Sequence, residues 1–211
     1  MFLRITLVVD GSSDRALKPI IEWLLQQHLP IGAEFEVVVA QLPGQHAPND
    51  RLRLSWEYFT GDVLFVHRDS EKEALPKRQA EIDAWVAEVF PIPPPYVKVV
   101  PVRMTEAWLL LSESAIREAA GNPNGTVRLQ VPAVSRLDAL PDPKQVLLEL
   151  LKQATENAPR RRRSFNARQA IHRLAEFQQE LGFHALRTLP AFAVLEQEVA
   201  AMVQARFGNN D

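Results

Sequence analysis

The stretch Val63-Leu64-Phe65-Val66-His67-Arg68-Asp69-Ser70-Glu71 decides the fold. Its apolar residues follow one another without alternation and then give way at once to charged ones. A short unbroken apolar run reads as a strand covered on both faces, the kind found in parallel sheets between layers of helix. In Leu3-Arg4-Ile5-Thr6-Leu7-Val8-Val9-Asp10-Gly11 apolar and β-branched residues likewise dominate a short run, with Ser12-Ser13-Asp14 and an amphipathic segment behind it. Both runs end in acids. In open α/β sheets ligands sit outside the carboxyl ends of the strands, so Asp10, Asp69 and Glu71 are expected at the sheet's functional edge.

Working outward, residues 3–10 form the first strand. Leu17, Ile20, Ile21, Leu24 and Leu25 recur at helical spacing behind it, giving one apolar face. Phe35 to Leu42 is the second strand, and a Pro-, Gly- and Asn-rich loop leads to a short helix, Asp50 to Phe59. After the Val63 strand, residues 75–90 carry a buried stripe of Ile82, Trp85, Val86 and Val89. Pro91-Ile92-Pro93-Pro94-Pro95 forces an extended connection to a fourth strand, Tyr96 to Val102. Thr105 is placed to cap a helix opening Glu106-Ala107-Trp108-Leu109-Leu110. Past Gly125 the strands stop. Asp142-Pro143 starts a helix with a cap and a proline at its first position, and Val146 to Leu151, Ala167 to Leu181 and Phe192 to Phe207 read as helices. The expectation is α/β: a mostly parallel sheet with helices on both faces over residues 1–125, then a helical C-terminal region over 126–211 packed on it.

Composition narrows the chemistry. With 211 residues, 46% of them apolar and 24% charged, the chain suits one domain with a substantial appendage. It has no cysteine, which removes disulfides, thiolate metal sites and cysteine nucleophiles together. No run approaches the ~18 apolar residues of a membrane span, and Met1-Phe2-Leu3-Arg4 does not open a signal peptide, so a cytoplasmic protein is expected. A glycine-rich phosphate loop, a G-x-S-x-G elbow and an H-E-x-x-H pair are all missing from the sequence. The net charge is −2, yet Arg160-Arg161-Arg162-Arg163 is a dense basic run. It serves either as a solvated loop or as a grip on a phosphate backbone.

Asp69 and Glu71, two apart, project to one side of an extended segment. Carboxylates crowded together repel unless a cation or a proton lies between them, and oxygen ligands suit Mg²⁺ or Mn²⁺. The residues expected to carry chemistry are Asp10, Asp69, Glu71 and Glu106, with Asp10, Asp69 and Glu71 as metal ligands. Asp14 reads as a complement to a helix dipole. His67 reads as a metal ligand, a proton shuttle or, more commonly at a strand end, a structural histidine. Arg103, with Arg160, Arg161, Arg162 and Arg163, is a candidate for contacting nucleic-acid phosphate.

Val9-Asp10-Gly11-Ser12-Ser13-Asp14, His67-Arg68-Asp69-Ser70-Glu71 and Arg103-Met104-Thr105-Glu106-Ala107-Trp108-Leu109-Leu110 together resemble signatures of the Toprim fold. That fold is shared by topoisomerases, primases and the overcoming-lysogenization-defect nucleases, and the likeness here is to Toprim-like bacterial families of unknown function. The family carries a Glu-Gly pair after its first strand and an Asp-x-Asp pair after its third; Asp10-Gly11 and Asp69-Ser70-Glu71 stand in those places. The resemblance covers roughly residues 3–120 and implies a Mg²⁺- or Mn²⁺-dependent nuclease. It also implies a role in bacterial phage defence beside a partner ATPase. Asp10 is a methylene shorter than the family's Glu, and Glu71 a methylene longer than its Asp. A displacement of about an ångström at a reacting centre costs roughly a hundredfold in rate. A non-catalytic binding or regulatory subunit of an ATPase complex is therefore the alternative, and phosphatase chemistry on a nucleotide is a third.

Overall fold

A computed structural model describes residues 2–11, 13–156 and 165–208; the Arg160–Arg163 run lies outside the described residues. Four strands, β1 (Phe2–Val8), β2 (Glu34–Ala40), β3 (Val63–His67) and β4 (Tyr96–Val99), form one sheet in the order β2-β1-β3-β4. All three pairings are parallel, with Ile5 opposite both Val37 and Val63, and Phe65 opposite Val97. Every residue of β3 is buried, as its unbroken apolar run requires.

Helices cover both faces. On one side α2 (Pro48–Phe59) and α3 (Leu75–Val89) bury Leu52, Ile82 and Val86 against Val8, Leu64 and Val66. On the other, Leu3, Ile5, Leu7, Val63, Phe65 and Val97 meet α1 (Leu17–His28). The C-terminal helices extend this second layer: α4 (Glu113–Ala119), α5 (Pro143–Ala154), α6 (Ala167–Leu181) and α7 (Pro190–Phe207). Ile171, Leu174, Phe192 and Val199 belong to the same contiguous core as the β1 and β3 residues. Among the described residues no helix is long and apolar enough to cross a membrane.

The Asp142 cap is as the sequence predicts, its side chain accepting the Gln145 N–H at 2.8 Å. Two local expectations change. Ser13–Ala16 forms a 3-10 turn before α1. Thr105–Leu109 is likewise a 3-10 turn, and the Thr105 side chain does not cap it. It is turned towards the strand end instead.

Candidate metal centre

Strand order fixes where a site can form. From β1 the chain crosses to β2 on one side, then returns through α2 to β3 on the other, so the winding reverses between β1 and β3. At such a point successive loops diverge at the carboxyl ends of the strands and leave a crevice. The turn after β1 delivers Asp14 there, and the end of β3 delivers His67 and Asp69. One ligand atom from each of the three lies within 4.8 Å of the others.

Each member is held by its own partners. Asp14 is buried; its Oδ2 accepts the Gly11 N–H at 2.7 Å and its Oδ1 the Ser13 hydroxyl at 3.3 Å. A Cβ added at Gly11 would stand 3.3 Å from Asp14 Oδ2, and Gly11 is not among the glycines with positive φ. Smallness, not left-handed backbone, is what this glycine supplies. His67 closes β3 with its side chain wholly buried. Its Nε2 lies 3.1 Å from Asp69 Oδ1 and 3.2 Å from Thr105 Oγ1. Its Nδ1 faces Asp14 Oδ2 at 3.7 Å and has no hydrogen-bond partner among the described residues. Asp69 Oδ1 also accepts the Thr105 N–H at 2.9 Å and its hydroxyl at 3.3 Å.

The loop behind Asp69 is braced to match. Ser70 N–H donates to Pro101 O at 2.9 Å and Glu71 N–H to Arg103 O at 3.0 Å. Arg103 N–H donates to the Ser70 hydroxyl at 2.8 Å. Glu71 and Arg103 both adopt positive φ, 54° and 65°, a conformation that side-chain-bearing residues keep only where surroundings enforce it. These three bonds are the enforcement.

Charge explains what the group wants. Burial pushes the Asp14 carboxyl above its usual range, with the neighbouring charges of Asp69 and Asp10 adding to the rise against the opposing pull of His67 and the Gly11 N–H. Burial alone would push His67 down. The hydrogen bond to Asp69 and the charges of Asp69, Asp14 and Asp10 outweigh it and hold the imidazole above its ordinary value. Both shifts favour the protonated forms of Asp14 and His67, the state in which carboxylates crowded around a buried imidazole repel least. A buried ring nitrogen without a hydrogen-bond partner, facing a carboxylate too distant to bond it, is a polar atom that a bound cation would satisfy. Asp14, His67 and Asp69 are therefore fit to hold a metal ion.

Of the residues expected at the site, only Asp69 belongs to this group. Asp10 lies beside it but is clamped by two guanidiniums, Arg51 Nη1 on Oδ1 and Arg68 Nη1 on Oδ2 at 2.8 Å. Glu71 points to Arg78 Nη2 at 3.1 Å and stands with Arg103, Lys72 and Met104 along a separate cleft. Glu106 is buried, with Oε1 3.2 Å from Lys144 Nζ in a geometry that leaves that oxygen without a true hydrogen bond. Burial raises its pKa despite the lysine. The two residues that complete the group, Asp14 and His67, are those that the sequence assigns more simply to a dipole and to the core. Comparison with protein-family models, with curated proteins and with solved structures finds no match, so the functional reading rests on the chemistry of this edge.

Proposed function

We propose that the chain is a divalent-metal-dependent nuclease, hydrolysing phosphodiester bonds at the β1–β3 crevice. The observation that supports it is the Asp14–His67–Asp69 group at the switch point of a parallel sheet. Asp14 and Asp69 would supply carboxylate oxygens and His67 a ring nitrogen. An imidazole in the set favours a borderline ion such as Mn²⁺ over Mg²⁺, which prefers oxygen and water. A metal bound there would polarise a phosphoryl oxygen and lower the pKa of a water for in-line attack.

The chain's own residues prepare that step. Thr105 fixes the Asp69 carboxylate through its N–H and hydroxyl, so the acid is oriented before substrate arrives. Arg68 stacks over Trp85 at 5.9 Å while holding Asp10, which presents a fixed positive charge beside the crevice. Arg103 and the Arg160–Arg163 run would add phosphate contacts further out, making binding fall as salt rises. The likeness to Toprim-like families extends the proposal to a bacterial antiviral complex with a partner ATPase.

One observation favours the rival reading of a non-catalytic subunit: the Asp10 carboxylate is already occupied by two arginines. Cleavage of labelled single- and double-stranded DNA and RNA, with EDTA, Mg²⁺ or Mn²⁺, separates the two. Mn²⁺-stimulated cleavage that disappears in Asp69→Asn supports the nuclease; wild type inactive on every substrate, with or without an ATPase partner, supports the rival.

A further inference from the structure

Beside the metal group, at the carboxyl ends of β1 and β2, lies a cavity of about 400 Å³ whose walls include Asp10, Gly11, Arg15, Arg51, Arg168 and His172. It shares the β1–α1 turn with Asp14, which stands between Gly11 and Arg15 in the chain. Its size falls in the range of small-ligand sites, roughly 300–1,000 Å³. What distinguishes it is charge. Three guanidiniums converge from three separate segments, the turn before α1, the first turn of α2 and the first turn of α6, and one carboxylate faces them.

That carboxylate, Asp10, is shared between Arg51 and Arg68, and Arg51 Nη2 also donates to His46 O at 3.3 Å. The other two arginines are poorly engaged. Among the described residues Arg15 makes one long hydrogen bond, 3.5 Å to the Gln41 side chain. Arg168 makes no ion pair among the described residues. It also stands at the positive end of α6, where a cation opposes the helix dipole. Both press on His172, held below its ordinary pKa by burial first and then by Arg15 and Arg168, with Glu176 opposing from the next turn. Asp10 answers Arg51, but neither Arg15 nor Arg168 has a carboxylate partner among the described residues. Guanidiniums left without a counter-charge are the ordinary construction of a phosphate site, where their forks meet anionic oxygens.

We propose that this cavity is a subsite for a terminal phosphate group, bound by Arg15 and Arg168 with Arg51 behind them, next to the metal group. Its placing as part of a substrate site rests on the nuclease reading; phosphate binding itself needs no metal. The phosphate is carried either by a free mononucleotide or by the end of a nucleic-acid strand.

The test is binding in EDTA, by titration calorimetry and fluorescence polarisation, to a nucleoside monophosphate and to oligonucleotides with phosphate or hydroxyl ends. The phosphorylated oligonucleotide should bind about 10- to 100-fold more tightly than its hydroxyl counterpart, with inorganic phosphate competing. Arg168→Gln and Arg15→Gln, both at exposed positions, should each abolish that preference, while Asp69→Asn keeps it. Tight binding of the mononucleotide assigns the phosphate to a small ligand; preference confined to the oligonucleotide assigns it to a strand end. No discrimination between phosphate and hydroxyl ends, or unchanged discrimination in both arginine variants, overturns the proposal. Loss of the Mn²⁺ response with phosphate preference intact would count against the nuclease reading alone.

Discussion

At the residue scale the acids near the sheet edge have different jobs, and single substitutions separate them. A ligand that binds only the folded state stabilises it by about 2.7 kcal/mol at a concentration one hundredfold above Kd. Mn²⁺ should therefore raise the melting temperature of the wild type. Asp14→Asn should lose that rise, because it removes an oxygen of the Asp14–His67–Asp69 group. Glu71→Gln should keep it, because Glu71 faces Arg78. The reverse pattern, measured by thermal melts with and without Mn²⁺, would restore the ligand set expected from the sequence. The Asp14–His67–Asp69 group was only partly legible in the sequence for a physical reason. Asp69 announces itself by ending an apolar strand, whereas Asp14 in a first helical turn and His67 at a strand end each have a simpler structural reading in sequence and meet only once β1 and β3 pair. A second residue-scale prediction concerns Asp138, whose carboxyl burial alone raises and whose Oδ1 has no hydrogen-bond partner among the described residues. A raised folded pKa means the folded state holds the proton more tightly than the unfolded chain. Its contribution to stability is then complete below the unfolded value, about 3.9, and is lost as pH rises through the folded value. Asp138→Asn should match wild type in strong acid and exceed it in stability near neutrality, as read from urea melts across pH. Equal stability at both ends would remove the burial account.

At the element scale, strand β4 shows how the sheet edge is closed. An edge strand leaves backbone donors open to pairing with another chain, and here the Lys98 N–H donates to Glu198 Oε2 of α7 at 2.8 Å. Glu198 Oε1 also lies 3.5 Å from the Lys98 ammonium and accepts from Gln79 at 3.4 Å. Hydrogen bonds to charged groups contribute about 1.5–3 kcal/mol, so Glu198→Ala should cost about that much in urea unfolding with no change in the Mn²⁺ response. A cost within error of zero would mean water replaces the glutamate at no loss. Most elements were legible: the apolar runs at Leu3 and Val63, the Asp142-Pro143 cap and the stripe of Ala167–Leu181 each carry a local signature. The Glu198 contact is not, because a mid-helix acid on α7 meets a strand a hundred residues earlier only through tertiary packing. The 3-10 turn at Thr105 is a related case. Thr105 has the residue type of a helix cap, but Asp69 and His67 outbid the helix for its hydroxyl.

At the scale of the whole molecule, the helical region and the sheet share one core, and this has a consequence for unfolding. The Trp108 and Phe192 rings meet edge-to-face, centroids 5.4 Å apart, and both are fully buried in the cluster that includes Ile5 and Phe65. Were residues 126–211 an independent unit, loosening them would leave the sheet standing and unfolding would proceed in two steps. Because Leu174, Phe192 and Val199 form one wall of the same core, the wild type should unfold in a single cooperative transition. Phe192→Ala should lower the stability of the whole molecule by about 3–5 kcal/mol, the usual cost of emptying a buried aromatic site. Circular dichroism and tryptophan fluorescence followed together through urea provide the check. Coincident curves that shift together in Phe192→Ala establish one cooperative unit. Separation of the two probes, with Phe192→Ala moving only one of them, would mean that the sheet holds the Asp14–His67–Asp69 group without the helices.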